Sequence, residues 1–184
     1  KDYLTTTVSN ARDVLEGVQL AGLTAKSITD VVLLQRHKRP APFDHNYTAS
    51  QFRPLALPSA FGVTIGTIQI HGAINLGKTE WALAQFENPL LVTTRPALKD
   101  FRPGFHDGIV IDKMVFNDWS VTDCEGLTDY TQPAQVRVLF GFVTIPKRTK
   151  KIIVTNPRDV WPKDPFGQLV GRRVLQVHVA SRLF

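Results

Sequence analysis

Eight consecutive residues, Gly72-Ala73-Ile74-Asn75-Leu76-Gly77-Lys78-Thr79, fit G-x-x-x-x-G-K-[ST] without a gap. The spacing follows from phosphate chemistry. Glycines let the backbone wrap closely around a polyphosphate, and the loop N–H groups with the start of the next helix supply partial positive charge. Lys78 reaches the β and γ phosphates, and Thr79 offers its hydroxyl to Mg²⁺. Thr67-Ile68-Gln69-Ile70 supplies a strand before the loop, and Glu80 to Phe86 a helix after it.

A phosphate site of this kind needs a carboxylate at the end of a neighbouring strand to hold the Mg²⁺ water shell. Gly108-Ile109-Val110-Ile111-Asp112 has that form, so Asp112 and Thr79 are the candidate metal residues. Hydrolysis also needs a group that orients or deprotonates water, often a second acid beside the first. Here the next residue is Lys113, which leaves Asp107, Asp118 and Asp123 as alternatives. Asp118 is favoured because Trp119 beside it could shield it from bulk water. A third apolar run, Lys151-Ile152-Ile153-Val154-Thr155-Asn156, ends in an amide. An Asn there can hydrogen-bond the γ phosphate or the lytic water without adding negative charge; alone, it reads as a turn residue before Pro157. Just upstream, Lys147, Arg148, Lys150 and Lys151 put four cations in five positions at a Pro-marked turn, suited to gripping successive backbone phosphates.

These residues need strands and turns to hold them. Short β-branched runs, Val63 to Ile70, Leu90 to Thr93, Gly108 to Ile111, Val136 to Val143, Lys151 to Thr155 and Val174 to Val179, alternate with connections and a helix-like segment. That pattern predicts an α/β domain over 61–184 with a largely parallel central sheet. Residues 1–39 carry apolar residues at near-helical spacing and predict two short helices, and the Pro-rich stretch 40–60 reads as a linker.

The chain has 184 residues, 43% hydrophobic and 21% charged, enough for one sizeable core. Its 22 Lys and Arg against 16 Asp and Glu give +6 and a pI near 9.7, which suits an acidic partner. Cys124 is the only cysteine, so one chain can build neither a disulfide framework nor a cysteine zinc site, and a reducing intracellular compartment is expected. No apolar run reaches the roughly 18 residues of a membrane span, and no leader resembles a signal peptide. The sequence starts at Lys1 with Met114 its only methionine, which reads as an excised part of a longer protein.

Taken together, the phosphate loop, Ile-Val-Ile-Asp112 and Ile-Ile-Val-Thr-Asn156 resemble the superfamily 3 helicases of small DNA viruses and plasmids. They most resemble the replication-initiator (Rep) proteins of circular single-stranded DNA viruses. Gly-Lys-Thr followed by Glu-Trp-Ala, and Thr155-Asn156-Pro157 with Trp161-Pro162 soon after, carry that likeness. The resemblance covers about 61–184. It implies an AAA+-like P-loop ATPase using ATP and Mg²⁺, with catalytic roles for Lys78, Asp112 and Asn156. It also implies a hexameric ring closed by a helical oligomerisation region at 1–39, single-stranded DNA as partner, and a host-nuclear location if the virus is eukaryotic. A basic DNA-binding hairpin lies before the Asn strand in that family, where Val136 to Lys151 stands here. Gly171-Arg172-Arg173-Val174 resembles its paired arginines, one of which reaches a neighbouring subunit's ATP; which one is open.

Two departures stand out. The family has Asp-Asp or Asp-Glu where this chain has Asp112-Lys113, so another acid must serve or hydrolysis is slow. The paired histidines of the family's N-terminal nicking domain have no counterpart in His37, His45, His71, His106 and His178, so that domain would lie elsewhere in a full-length protein. Two rivals remain: a nucleotide-regulated DNA-binding assembly module with weak or no ATPase activity, favoured by Lys113, and a small-molecule kinase, disfavoured by the basic turn and Asn156.

Overall fold

A computed structural model describes residues 41–139, 141–162, 170 and 173–184. The chain divides into two compact units, Lys1–Ala41 and Pro42–Phe184. The helical lead-in expected at 1–39 and Arg172 lie outside the described residues.

Among the described residues of the second unit, seven strands form: β1 (Thr67–His71), β2 (Pro89–Val92), β3 (Gly108–Asp112), β4 (Ala134–Val138), β5 (Gly141–Ile145), β6 (Lys150–Thr155) and β7 (Leu175–His178). Five of them make one sheet in the order β2-β3-β6-β1-β7, every neighbouring pair parallel. The fold class is therefore α/β around a parallel sheet. Such sheets are covered on both faces, and β3 and β6 are the expected continuous apolar runs. Alternation sends Ile109, Ile111 and Ile153 into one core with Leu98, Phe116, Trp119, Cys124 and Leu127. Ile68, Ile70, Val110, Ile152 and Val154 enter the other, against Trp81, Leu83 and Phe86.

Among the described residues, α1 (Lys78–Leu83) and α2 (Val121–Thr128) flank the sheet. The Ser120 hydroxyl starts α2 by accepting from the Asp123 backbone N–H at 3.1 Å.

The apolar run Val136–Val143, expected as one strand, is two. Gly141, at φ 149°, sits where β4 turns back into β5, and the pair forms a separate antiparallel hairpin. The stretch 42–60, expected as a linker, belongs to the second compact unit: Phe52 is buried, and Phe43, Leu55 and Leu57 pack on the same core as β1. Its prolines remove donors without preventing burial of the aromatic and aliphatic residues between them.

Candidate functional site

Because the sheet is parallel, all five strands end on one side. β1 runs into the phosphate loop, β6 into Asn156 and β3 into Asp112, and β6 lies between the other two. Asp112 pairs in register with Val154, so the carboxylate stands beside the approach to Asn156.

Between them opens a cavity of about 1150 Å³ lined by Ile74 to Glu80, Asp112 to Val115, Val154 to Pro157 and residues from three further places in the chain. Lys78 is buried at its floor. Its ammonium donates to the Gly72 carbonyl at 3.1 Å, the Ala73 carbonyl at 2.6 Å and the Asn156 side-chain oxygen at 3.3 Å. Burial lowers the Lys78 pKa, and the Asp112 charge works against that shift. Thr79 is half-buried in the same wall. The loop needs its glycines: Gly72 has φ 153°, where a Cβ would run into the Val179 carbonyl, and Gly77 has φ 80° with the Phe184 ring against it.

Gln69 holds the Asn156 loop from below. Fully buried on β1, its amide donates to the Thr155 hydroxyl at 3.0 Å and the Arg158 carbonyl at 2.7 Å, and its oxygen accepts from Trp161 Nε1 at 3.1 Å. Trp161 in turn stacks on Phe116 at 4.7 Å. No polar atom of this buried Gln is wasted, which fixes the residues around Asn156 to the strand that carries the phosphate loop.

The surroundings are electropositive. His71, just before Gly72, has its ring 5.1 Å from that of His178, and burial together with His178, Arg158 and Lys78 lowers its pKa. Lys113 and Arg182 also line the cavity, against the carboxylates of Asp112 and Glu80. Lys113 takes φ 60°, uncommon for a non-glycine residue, and its backbone N–H donates to Val154 at 3.1 Å.

The three acids considered for the water-activating role are not in this cavity. Asp107 accepts the backbone N–H groups of Glu87 and Asn88 at 2.7 and 2.9 Å. Asp123 is ion-paired with Arg95 at 2.6 Å. Burial would raise its pKa, but the Arg137 backbone N–H, the Ser120 hydroxyl and Arg95 outweigh burial and hold it below the ordinary carboxylate value. Asp118 is exposed outside the cavity lining, and Trp119 does not shield it: that ring is buried against Phe116, with the Arg95 guanidinium 4.1 Å from its centre. Among the described residues, the second carboxylate lining the cavity is Glu80, which only the residue order after Gly-Lys-Thr could have flagged.

The basic cluster divides as well. Lys147, Arg148 and Lys150 are exposed, but Lys151 is fully buried. Its ammonium donates to the carbonyls of Asp129 at 2.8 Å and Thr149 at 3.1 Å, and burial brings its pKa down to about 8 against the opposing pull of Asp129. Lys151 is therefore not available to a nucleic acid in this fold, since strand alternation turns it into the core that Lys150 faces away from. Nor does the cluster lie on the β4–β5 hairpin. It forms the next turn, at the start of β6, and so stands at the end of the sheet opposite the phosphate loop. The hairpin end instead exposes Leu139 and Phe142, with the Arg137 guanidinium 5.9 Å from the Phe142 ring.

Arg173 also sits at that opposite end, ahead of β7. It is half-exposed and lies 3.4 Å from the Glu125 carboxylate.

Among the described residues, no group of three or more His, Cys, Asp or Glu is arranged to hold a metal alone, and no helix is long and apolar enough to cross a membrane. Thr79 and Asp112, one hydroxyl and one carboxylate in one cavity wall, nonetheless fit Mg²⁺, which keeps most of its waters and takes further oxygens from phosphates. The comparisons supply no family: no family model matches the chain, and no curated protein matches it.

Proposed function

We propose that residues 42–184 form the ATP-hydrolysing domain of a superfamily 3 helicase of the Rep type, working on single-stranded DNA as a ring of identical subunits. The observation that carries the reading is the meeting of Lys78, Asp112 and Asn156 in one cavity at the ends of three adjacent parallel strands. Lys78 already bonds the loop carbonyls and the Asn156 amide, and a polyphosphate would exchange those neutral acceptors for anionic oxygens. Asn156 would then be left facing the terminal phosphate or its attacking water. Thr79 and Asp112 would hold Mg²⁺, which would supply charge neutralisation of the phosphates.

Coupling to DNA has a physical route in this reading. The exposed cations Lys147, Arg148 and Lys150 open β6, and Asn156 follows the same strand at its far end. A shift of Asn156 with nucleotide state would move about 15 Å of stiff strand and carry the basic turn with it. The exposed Phe142 and Arg137 add a stacking face and a cation on the neighbouring hairpin. Arg173 lies too far round the sheet to serve its own cavity, which suits a role in trans, shared with Arg172.

A second reading, a nucleotide-regulated DNA-binding assembly module, is favoured by Lys113 standing beside Asp112 where an acid would assist water. ATP turnover with and without single-stranded DNA, followed by strand displacement on a forked duplex, separates the two. Stimulated turnover with displacement is the expected result; tight binding with no turnover would favour the module, and failure to bind nucleotide would end both.

A further inference from the structure

We infer that Tyr47 and Phe184 form the base-binding wall of the phosphate-loop cavity, so that the ligand is a nucleoside triphosphate held at both ends. The inference rests on the nucleotide reading above and adds to it the part of the ligand that no motif residue touches.

The cavity is chemically mixed. Its lining includes the charged and amide groups of Lys78, Asp112, Lys113 and Asn156 and, unlike them, the rings of Tyr47 and Phe184. The two rings are offset-stacked, with centroids 5.8 Å apart and planes 9° from parallel. Phe52, buried beneath them, meets both edge-on at 5.8 and 6.0 Å, which fixes the pair from below. Both rings nonetheless keep solvent-accessible surface, Tyr47 being 38% and Phe184 49% exposed. An exposed aromatic pair beside a polar cavity is costly to leave wet, and a flat heteroaromatic ring is the group that would cover it.

The wall is also built in place. After β7, the Val179 backbone N–H donates to His71 at 2.8 Å and the Leu183 N–H to Leu76 at 3.0 Å, while the Leu183 carbonyl accepts from the Arg53 backbone N–H. Leu183 itself is buried. These bonds lay residues 179–184 along the phosphate loop and tie them to the segment that carries Tyr47. Gly77, lacking a Cβ, lets the Phe184 ring sit directly on the loop. The same glycine thus serves the phosphates by its backbone and the base by its missing side chain. A volume of about 1150 Å³ accommodates a base, ribose and triphosphate together.

Stacking on a ring costs little specificity, because every base has a π face, but it scales with ring area. The subsite therefore prefers purines to pyrimidines.

The test compares Mg²⁺-ATP with Mg²⁺-tripolyphosphate, which carries the phosphates without a base, by calorimetry on the full 184-residue chain. Tyr47→Leu and Phe184→Leu keep the apolar packing on Phe52 and Gly77 and remove the π face. We expect each to weaken ATP about tenfold and to leave tripolyphosphate affinity unchanged, and the double variant to erase the preference of ATP over CTP. Equal weakening of ATP and tripolyphosphate would overturn the inference, since the rings would then only support the loop; unchanged ATP affinity would overturn it too. Lys78→Ala separates the underlying reading: it should abolish tripolyphosphate binding. A wild-type chain that binds neither compound would remove the phosphate loop reading and this inference together.

Discussion

Lys78 and Lys151 are both buried, both hydrogen-bonded to backbone carbonyls and both lowered in pKa by desolvation, yet they belong to opposite ends of the sheet and to different kinds of chemistry. Lys78 borders a cavity, faces Asp112 across it and reaches an exposed amide, so its partners can be exchanged for those of a ligand. Lys151 has no such exit. Its carbonyls come from Asp129 and Thr149, and it enters the core packed by α2, where the Thr67 hydroxyl also bonds the Thr128 carbonyl at 3.2 Å. Burial alone therefore does not single out a candidate site lysine; open volume and an exchangeable partner beside it do.

The strongest break in this comparison is Lys78→Ala. We expect ATP turnover to fall by at least about 100-fold, the scale seen when one positioned donor to developing charge is removed, with the far-ultraviolet circular dichroism unchanged. Turnover within a factor of a few of wild type would place the chemistry elsewhere.

Lys151 should report in stability instead. The unfolded chain keeps this proton up to about 10.5, while the folded chain releases it near 8, so between those values the unfolded state binds more protons and stability rises with pH. The rise attributable to Lys151 is about 3 kcal/mol across that window and absent below it. Urea melts of wild type and Lys151→Met at pH 7.5, 9 and 10 measure it as the difference in slope. Parallel pH dependences in the two chains would show that Lys151 does not titrate as its burial requires.

Gln69→Leu probes how the residues around Asn156 are held at the Lys78 end. It removes three hydrogen bonds and leaves the Trp161 indole N–H buried without its partner, at a cost of about 1–3 kcal/mol. Because those bonds locate the residues around Asn156, turnover should drop more than nucleotide affinity. Single-turnover kinetics beside binding isotherms would separate the two, and equal losses in both would count against the positioning role.

The smallest effect concerns salt. Neutralising Lys147, Arg148 and Lys150 should make the slope of log affinity for single-stranded DNA against log salt less negative by about 2. Adding Lys151→Met should leave the slope where the triple variant put it. A further change on adding it would mean that the buried ammonium reaches phosphate after all.

Much of the site was legible because its signals are local. The phosphate loop depends on eight adjacent residues, and Asp112 and Asn156 mark the ends of apolar runs, so strand, loop and neighbouring strand ends could be named in order. Alternation is legible in the basic turn too: counting by two from Ile153 puts Lys151 inside and Lys150 outside. Asp107, Asp118 and Asp123 could not be sorted from sequence, because being near Asp112 in the chain says nothing about which side of a strand end a loop returns on. Gln69 carried no motif at all. A Gln inside an apolar strand is a sign only that something polar must meet it.

What the sequence by itself determined is what short-range chemistry requires: the glycines that admit unusual backbone angles at Gly72 and Gly77, the lysine and threonine that follow them, and the β-branched runs that can only be strands buried on both faces. The tertiary structure alone decided which of these meet. Inserting β6 between β1 and β3 set Asn156 between Lys78 and Asp112. Parallel pairing sent the basic turn to the far end of the sheet, and the path of residues 179–184 brought Arg182 and Phe184 onto the phosphate loop. Strand order and the return of a chain segment are settled by packing over the whole sheet, and no window of neighbouring residues contains that information.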